Sequence, residues 1–186
     1  MAFSSNDLKN GMTLDLPEGL FQVVDFQHVK PGKGGAFVRT KLKNLRTGGT
    51  QDRTFRGSEP LNQAIVEKKE MQLLYRDGDG YVFMDIETYE QLAAPAATLG
   101  NAPRYLKDSD NAVLAFYGDE IIGVELPTSV DLEVAETEPG LQGDRVSGAK
   151  KLATLETGLS LQVPLFINTG DKVRVDTRTG DYLTRV

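Results

Sequence analysis

No stretch of this chain carries a long apolar repeat at helical spacing. Short runs in which apolar and polar residues alternate are cut off by glycine, proline and aspartate. Alternation with period two sends successive side chains to opposite faces of a strand, so the chain is confined to small, turn-rich β-architectures. In the first third, turn signals fall at Asn10 and Gly11, at residues 17–19, at 31–35, and at Gly48 and Gly49, the rhythm of a small barrel. Further on, runs at 71–75 and 81–85 flank Asp77-Gly78-Asp79-Gly80, and runs at 111–117 and 121–126 flank Gly118 and Asp119, both hairpin patterns. Val130, Leu132 and Val134 alternate with Asp131, Glu133 and Glu136, and strands are expected around 159–167, 172–176 and 181–185. One short helix is expected, opened by Thr88 with Gln91 as a capping box, running through Leu92 and limited by Pro95. The apolar pattern thins over residues 63–70, where Glu67, Lys68, Lys69 and Glu70 follow one another, and Pro127 marks a second break. The expected segments are therefore 1–64, 65–127 and 128–186.

The hairpin of residues 21–29 and 36–45 carries the sharpest signal. Its tip is Lys30, Pro31, Gly32, Lys33, Gly34 and Gly35, and it offers no neighbouring side chain against which Lys33 could fold back. On the tip alone, a flexible solubilising turn is the commoner meaning of such a sequence. A phosphate-binding P-loop fails on context, because Lys33 is followed by Gly34 and then a strand instead of Ser or Thr and a helix. Between Phe26 and Arg56 stand eight basic residues and one acidic residue, Asp52. Phe37, Arg39, Lys41 and Lys43 share one face of their strand while Val38, Thr40 and Leu42 share the other, which reads as a basic stripe over a buried face. A charged strand face is often no more than a solvated one. A stripe leading to a presented lysine fits phosphate contact better, and RNA backbone is the natural partner. The formal net charge of −6 argues against nucleic acid only until it is divided: residues 1–64 carry plus three, 65–127 minus seven and 128–186 minus two.

Other chemistries find little support. The chain has no cysteine, which removes disulfides and thiolate metal sites and fits a reducing compartment. No run approaches the roughly 18 apolar residues of a membrane span, and residues 1–20 lack the apolar core of a signal peptide. We expect a soluble, cytoplasmic monomer with no membrane contact. His28, the only histidine, has no metal-ligand or triad partners in pattern and reads as supporting the hairpin or facing RNA, support first. The aspartates at 77 and 79 show fragments of an EF-hand loop without its closing glutamate in frame. Neither a nucleophile, base and acid nor a metal cluster can be assembled, so neither an enzyme nor a cofactor is expected.

The tip from Lys30 to Gly35, with Ala36 and Phe37, resembles the modified-lysine loop of the bacterial elongation factor P family. A second motif agrees: Lys151, Ala153, Gly158, Leu161, Val163, Pro164, Ile167 and Gly170 stand at the spacings of that family's C-terminal signature, and residues 175–180 continue it. Leu152 departs from the usual proline and is expected in a loop. The resemblance implies an all-β chain of three consecutive small barrels, an SH3-like (KOW-like) barrel over 1–64 followed by OB-fold barrels over 65–127 and 128–186. It implies an elongated L similar in outline to transfer RNA.

The resemblance further implies a non-catalytic translation factor that enters the ribosome between the peptidyl and exit sites. There it would set the Lys33 tip beside the acceptor end of peptidyl-tRNA and relieve stalling at consecutive prolines. Lys30, Pro31, Gly32, Lys33, Gly34 and Gly35 would meet the acceptor end, and Lys33 matches the position extended by a lysine-modifying enzyme. Arg39, Lys41, Arg53 and Arg56 are our candidates for phosphate contacts. Gly143 and Asp144 match a loop used near the exit-site codon, where Arg145 replaces the usual threonine; Tyr182 and Arg185 are further RNA candidates, although a strand tyrosine is more often core. The rival is a general OB-fold RNA-binding or RNA-chaperone protein.

Overall fold

The computed structural model of the chain describes residues 2–140 and 148–186. It divides into two compact units, Met1–Lys68 with Ala115–Gly123, and Lys69–Leu114 with Val124–Val186.

The first unit is built on a four-stranded antiparallel sheet in the order β2 (Thr13–Leu16), β3 (Gly19–Val29), β4 (Phe37–Asn44), β5 (Thr50–Arg56). A two-stranded ribbon joins β1 (Ala2–Ser4) to β6 (Pro60–Asn62), with a 3-10 turn at Ser5–Asp7 after β1. Leu14, Phe21, Val23, Val38, Leu42 and Phe55 form the core, all nearly or wholly excluded from solvent. Fully burying each such side chain contributes roughly 1.5–3 kcal/mol. The first half of β3 is buried at Leu20, Phe21 and Val23, and the second half leaves the core and runs out with β4 as a projecting hairpin. The change occurs at a bulge between Val23 and Asp25, where Val24 is the extra, exposed residue and the register shifts. A smaller cluster of Leu20, Ala64 and Ile122, flanked by Leu45, Val66, Ala115 and Tyr117, packs in the same unit.

Then follow β7 (Glu67–Asp77), β8 (Gly80–Asp85), β9 (Gln91–Pro95), β10 (Asn111–Tyr117) and β11 (Glu120–Glu125), a sheet in the order β11-β10-β7-β8-β9. The charged run from Glu67 to Glu70 opens β7, where all four residues are exposed. The helix expected at 88–92 is absent: residues 86–88 are a turn and β9 follows. Asp85 takes the place of a cap, its carboxylate accepting from the Glu87 N–H at 2.8 Å and the Thr88 N–H at 3.1 Å. This local side-chain turn outcompetes helix formation, and Leu92 pairs across the ladder with Phe83. A single helical turn, α1 (Ala96–Leu99), begins after Pro95 instead of ending before it.

The last sheet runs in the order β14-β13-β12-β15-β16, with β12 (Ser129–Thr137), β13 (Lys150–Leu155), β14 (Ser160–Pro164), β15 (Lys172–Asp176) and β16 (Tyr182–Arg185). Leu132, Val134, Ala153, Leu155, Val163, Ile167, Val173 and Val175 form its core, and Tyr105 packs into it. β13 starts inward with Lys151, buried, whose Nζ donates to the Glu138 carbonyl at 2.6 Å. Leu152 lies in this strand and not in a loop, 55% exposed and opposite Gln162. The turn between β15 and β16 is held by Asp176, which accepts from Arg178 Nη2 and the Arg178 N–H, both at 2.8 Å, and from the Thr179 N–H at 3.3 Å. These bonds, the Arg178 guanidinium's first, hold the Asp176 carboxyl down to about 2 from its ordinary 3.8. A depressed carboxyl stabilises the fold above its unfolded pKa and loses that contribution as pH falls through its folded one. Asp176→Asn is therefore expected to be less stable than the natural chain at neutral pH, with the difference closing between pH 3.8 and about 2; thermal unfolding across that pH range reads it.

Candidate functional site

The last rung of the projecting hairpin pairs Val29 with Phe37, and every residue from Lys30 to Gly35 beyond it is exposed. Gly34 sits at φ +115°, a conformation that side chains of L-residues rarely adopt, so glycine is required there. Among the described residues no hydrogen bond or ion pair holds the Lys33 side chain. The second leg of the tip is fixed from β5: the Gly57 N–H donates to the Ala36 carbonyl at 2.7 Å. A Cβ at Gly57 would itself come within 2.7 Å of that oxygen.

The ladder decides what the basic stripe amounts to. Across β3, β4 and β5 the outward rows, from the far end toward the tip, are Gln22–Lys43–Thr50, Asp25–Lys41–Asp52, Gln27–Arg39–Thr54 and Val29–Phe37–Arg56. Lys41 is thus flanked in register by an aspartate on each side, so a phosphate approaching it would also meet their carboxylates. Arg39 and Arg56 stand in rows without acids, nearer the tip. The Arg39 guanidinium lies 5.7 Å from the Phe37 ring centroid. With Lys30, His28, Asn6 and Ser58 these two arginines line a hollow of about 1100 Å³ at the root of the tip. His28 is exposed and meets Phe26 edge-on at 5.5 Å, so it supports the hairpin while lining the hollow. Arg53 lies on the opposite face of β5, over Phe55 at 5.2 Å and paired with Glu18 at 3.0 Å. Its guanidinium holds the Glu18 carboxyl below the usual range.

Of the proposed phosphate contacts, then, the structure brings Arg39 and Arg56 together, sets Lys41 between Asp25 and Asp52 and places Arg53 on the other face. No sequence signal marks this, because the bulge at Val24 is what sets Asp25 opposite Lys41. In the second unit, Tyr182 is half-buried against the core. Arg185 stacks over the ring of Phe166 at 5.6 Å and lies 3.9 Å from Asp171. Phe166, 57% exposed, was not foreseen. Gly143, Asp144 and Arg145 lie outside the described residues. Among the described residues no three His, Asp or Glu side chains could hold a metal ion, and no helix is long and apolar enough to cross a membrane. The tip can present an ammonium beside a cationic hollow; it holds no acid, base or nucleophile arranged for bond-making.

Residues 4–61 match the family described as "Elongation factor P (EF-P) KOW-like domain", 66–124 "Elongation factor P (EF-P) OB domain" and 130–185 "Elongation factor P, C-terminal". The chain is 57% identical over 182 residues to Elongation factor P of Moorella thermoacetica, covering 98% of each chain. It is 57% identical to that of Acidothermus cellulolyticus, covering 98% of this chain and 97% of the relative. Among solved structures, eukaryotic translation initiation factor 5A from Methanococcus jannaschii is 22% identical with a TM-score of 0.54, covering 68% of this chain and 92% of that one. That likeness bears on the fold, which is all-β with a KOW-like, SH3-like barrel followed by OB barrels.

Proposed function

The chain belongs to the elongation factor P family, and on that footing we propose that it binds the ribosome beside peptidyl-tRNA and stimulates peptide-bond formation, relieving stalling at consecutive prolines. That it is a translation elongation factor and not an enzyme follows from its family. The observation that carries the finer reading is the tip itself: Lys33, whose side chain has no bonding partner among the described residues, at the end of a hairpin of β3 and β4 that is braced by β5. A factor that orders a slow reactant lowers the entropic part of its barrier without supplying an acid or base. In this reading Lys30 to Gly35 meet the acceptor end, Arg39 and Arg56 contact phosphates, and Lys33 is the residue a lysine-modifying enzyme would extend. Barrels over 1–64, 65–127 and 128–186 divide the work, and the site of action is the cytoplasmic ribosome.

Reconstituted translation tests this directly. Adding the protein is expected to speed synthesis through a run of prolines and leave a proline-free template unchanged. Equal effects on both templates would favour a general RNA-binding protein, and no effect on either would overturn the proposal.

A further inference from the structure

We propose that Ser5 is a positioning residue for the lysine tip, acting through the turn of residues 56–59; the functional part of this inference rests on the proposed role of Lys33. Ser5 is wholly buried although polar. Its hydroxyl donates to the Arg56 carbonyl at 2.6 Å and accepts from the Glu59 N–H at 3.2 Å, while its own N–H donates to the Glu59 carbonyl at 2.8 Å. One small side chain thereby holds both ends of the turn that contains Gly57.

That turn needs holding. Ser58 sits at φ +62°, which is costly for any residue but glycine and persists only where its surroundings enforce it. Asn6 Nδ2 donates to Ser58 Oγ at 2.9 Å, a second clamp from the same 3-10 segment. The segment is fixed in turn by the Ser4 N–H and hydroxyl, which donate to Asp7 Oδ2 at 3.2 and 2.7 Å. From the turn, the Gly57 N–H reaches the Ala36 carbonyl at 2.7 Å. That bond ties the turn to Ala36, and the backbones run so close there that a Cβ at position 57 would come within 2.7 Å of the same oxygen, so only glycine allows the link. A displacement of the turn is therefore passed to the second leg of the tip, three residues from Lys33.

Ser5→Ala removes the hydroxyl and leaves the backbone bond. The control is Leu14→Val, a loss of packing in the same core, at a residue remote in sequence from both the turn and the tip. In the full-length protein, amide hydrogen exchange at Gly57 is expected to quicken on the order of ten-fold in Ser5→Ala and to stay unchanged in Leu14→Val. On proline-run templates, the rate at saturating factor is expected to fall on the order of ten-fold in Ser5→Ala, with the half-saturating concentration unchanged. Leu14→Val should keep both. If Ser5→Ala lowers the melting temperature while Gly57 exchange stays natural, Ser5 merely stabilises the barrel and the relay is overturned. If exchange quickens but the saturating rate holds, the positioning role is overturned. Gly57 exchange reads the relay even where the natural protein fails to speed proline runs, so the two proposals fail separately.

Discussion

Lys33→Ala is expected to abolish the stimulation of proline-run synthesis, a loss on the order of 10²-fold in the rate at saturating factor, the scale at which misplacing one group in an ordered reaction is felt. The melting temperature should not move. Lys33 is exposed, its neighbours are glycines, and among the described residues nothing bonds to its side chain, so its removal costs the fold nothing that the structure shows. Affinity for the ribosome should fall little, because one exposed cation is a small part of the electrostatic attraction that Arg39, Arg56 and Lys30 share around the hollow. The signature is thus a rate defect with retained binding. Unimpaired rescue of proline runs by Lys33→Ala would remove the tip from the mechanism.

The hairpin that carries this lysine was legible because its inner face is uniform. Val38, Thr40 and Leu42 alternate with charged residues and are all buried, and the turn signals on either side fix where the strands end. The same logic recovers β15 and β10 to the residue. It fails where a side chain acts against its type. β13 went unseen because its first inward residue is Lys151, which reads as a solvent residue until the Glu138 carbonyl that receives it is known. The helix at 88–92 failed because Asp85, outside the expected capping pair, caught the Glu87 and Thr88 amides first. Ser5 gave no sign at all, since its partners lie more than fifty positions away and only the paired β1 and β6 bring them together. At the site, counting charges could not give their distribution, which depends on one bulged residue, Val24.

That distribution makes the other large expected effect. Replacing Arg39 and Arg56 together by glutamine should weaken binding to ribosomes or to RNA by on the order of 10- to 100-fold at low salt. The slope of log affinity against log salt should become shallower by about 1.4–1.8, since each phosphate contact contributes roughly 0.7–0.9. Lys41→Gln should leave that slope nearly unchanged although it removes one formal charge from the same strand, because Asp25 and Asp52 flank it on either side and repel a phosphate that would otherwise contact it. Arg53→Gln should behave like Lys41→Gln in the salt titration, with the added loss of the Glu18 pair on the other face. A drop of roughly 0.7–0.9 for each charge removed, in every variant alike, would restore the continuous stripe suggested by the sequence. A reduced slope confined to Arg39 and Arg56 would show that the sheet concentrates its attraction at the root of the tip, where a phosphate held by the hollow would bring its nucleotide within reach of Lys33.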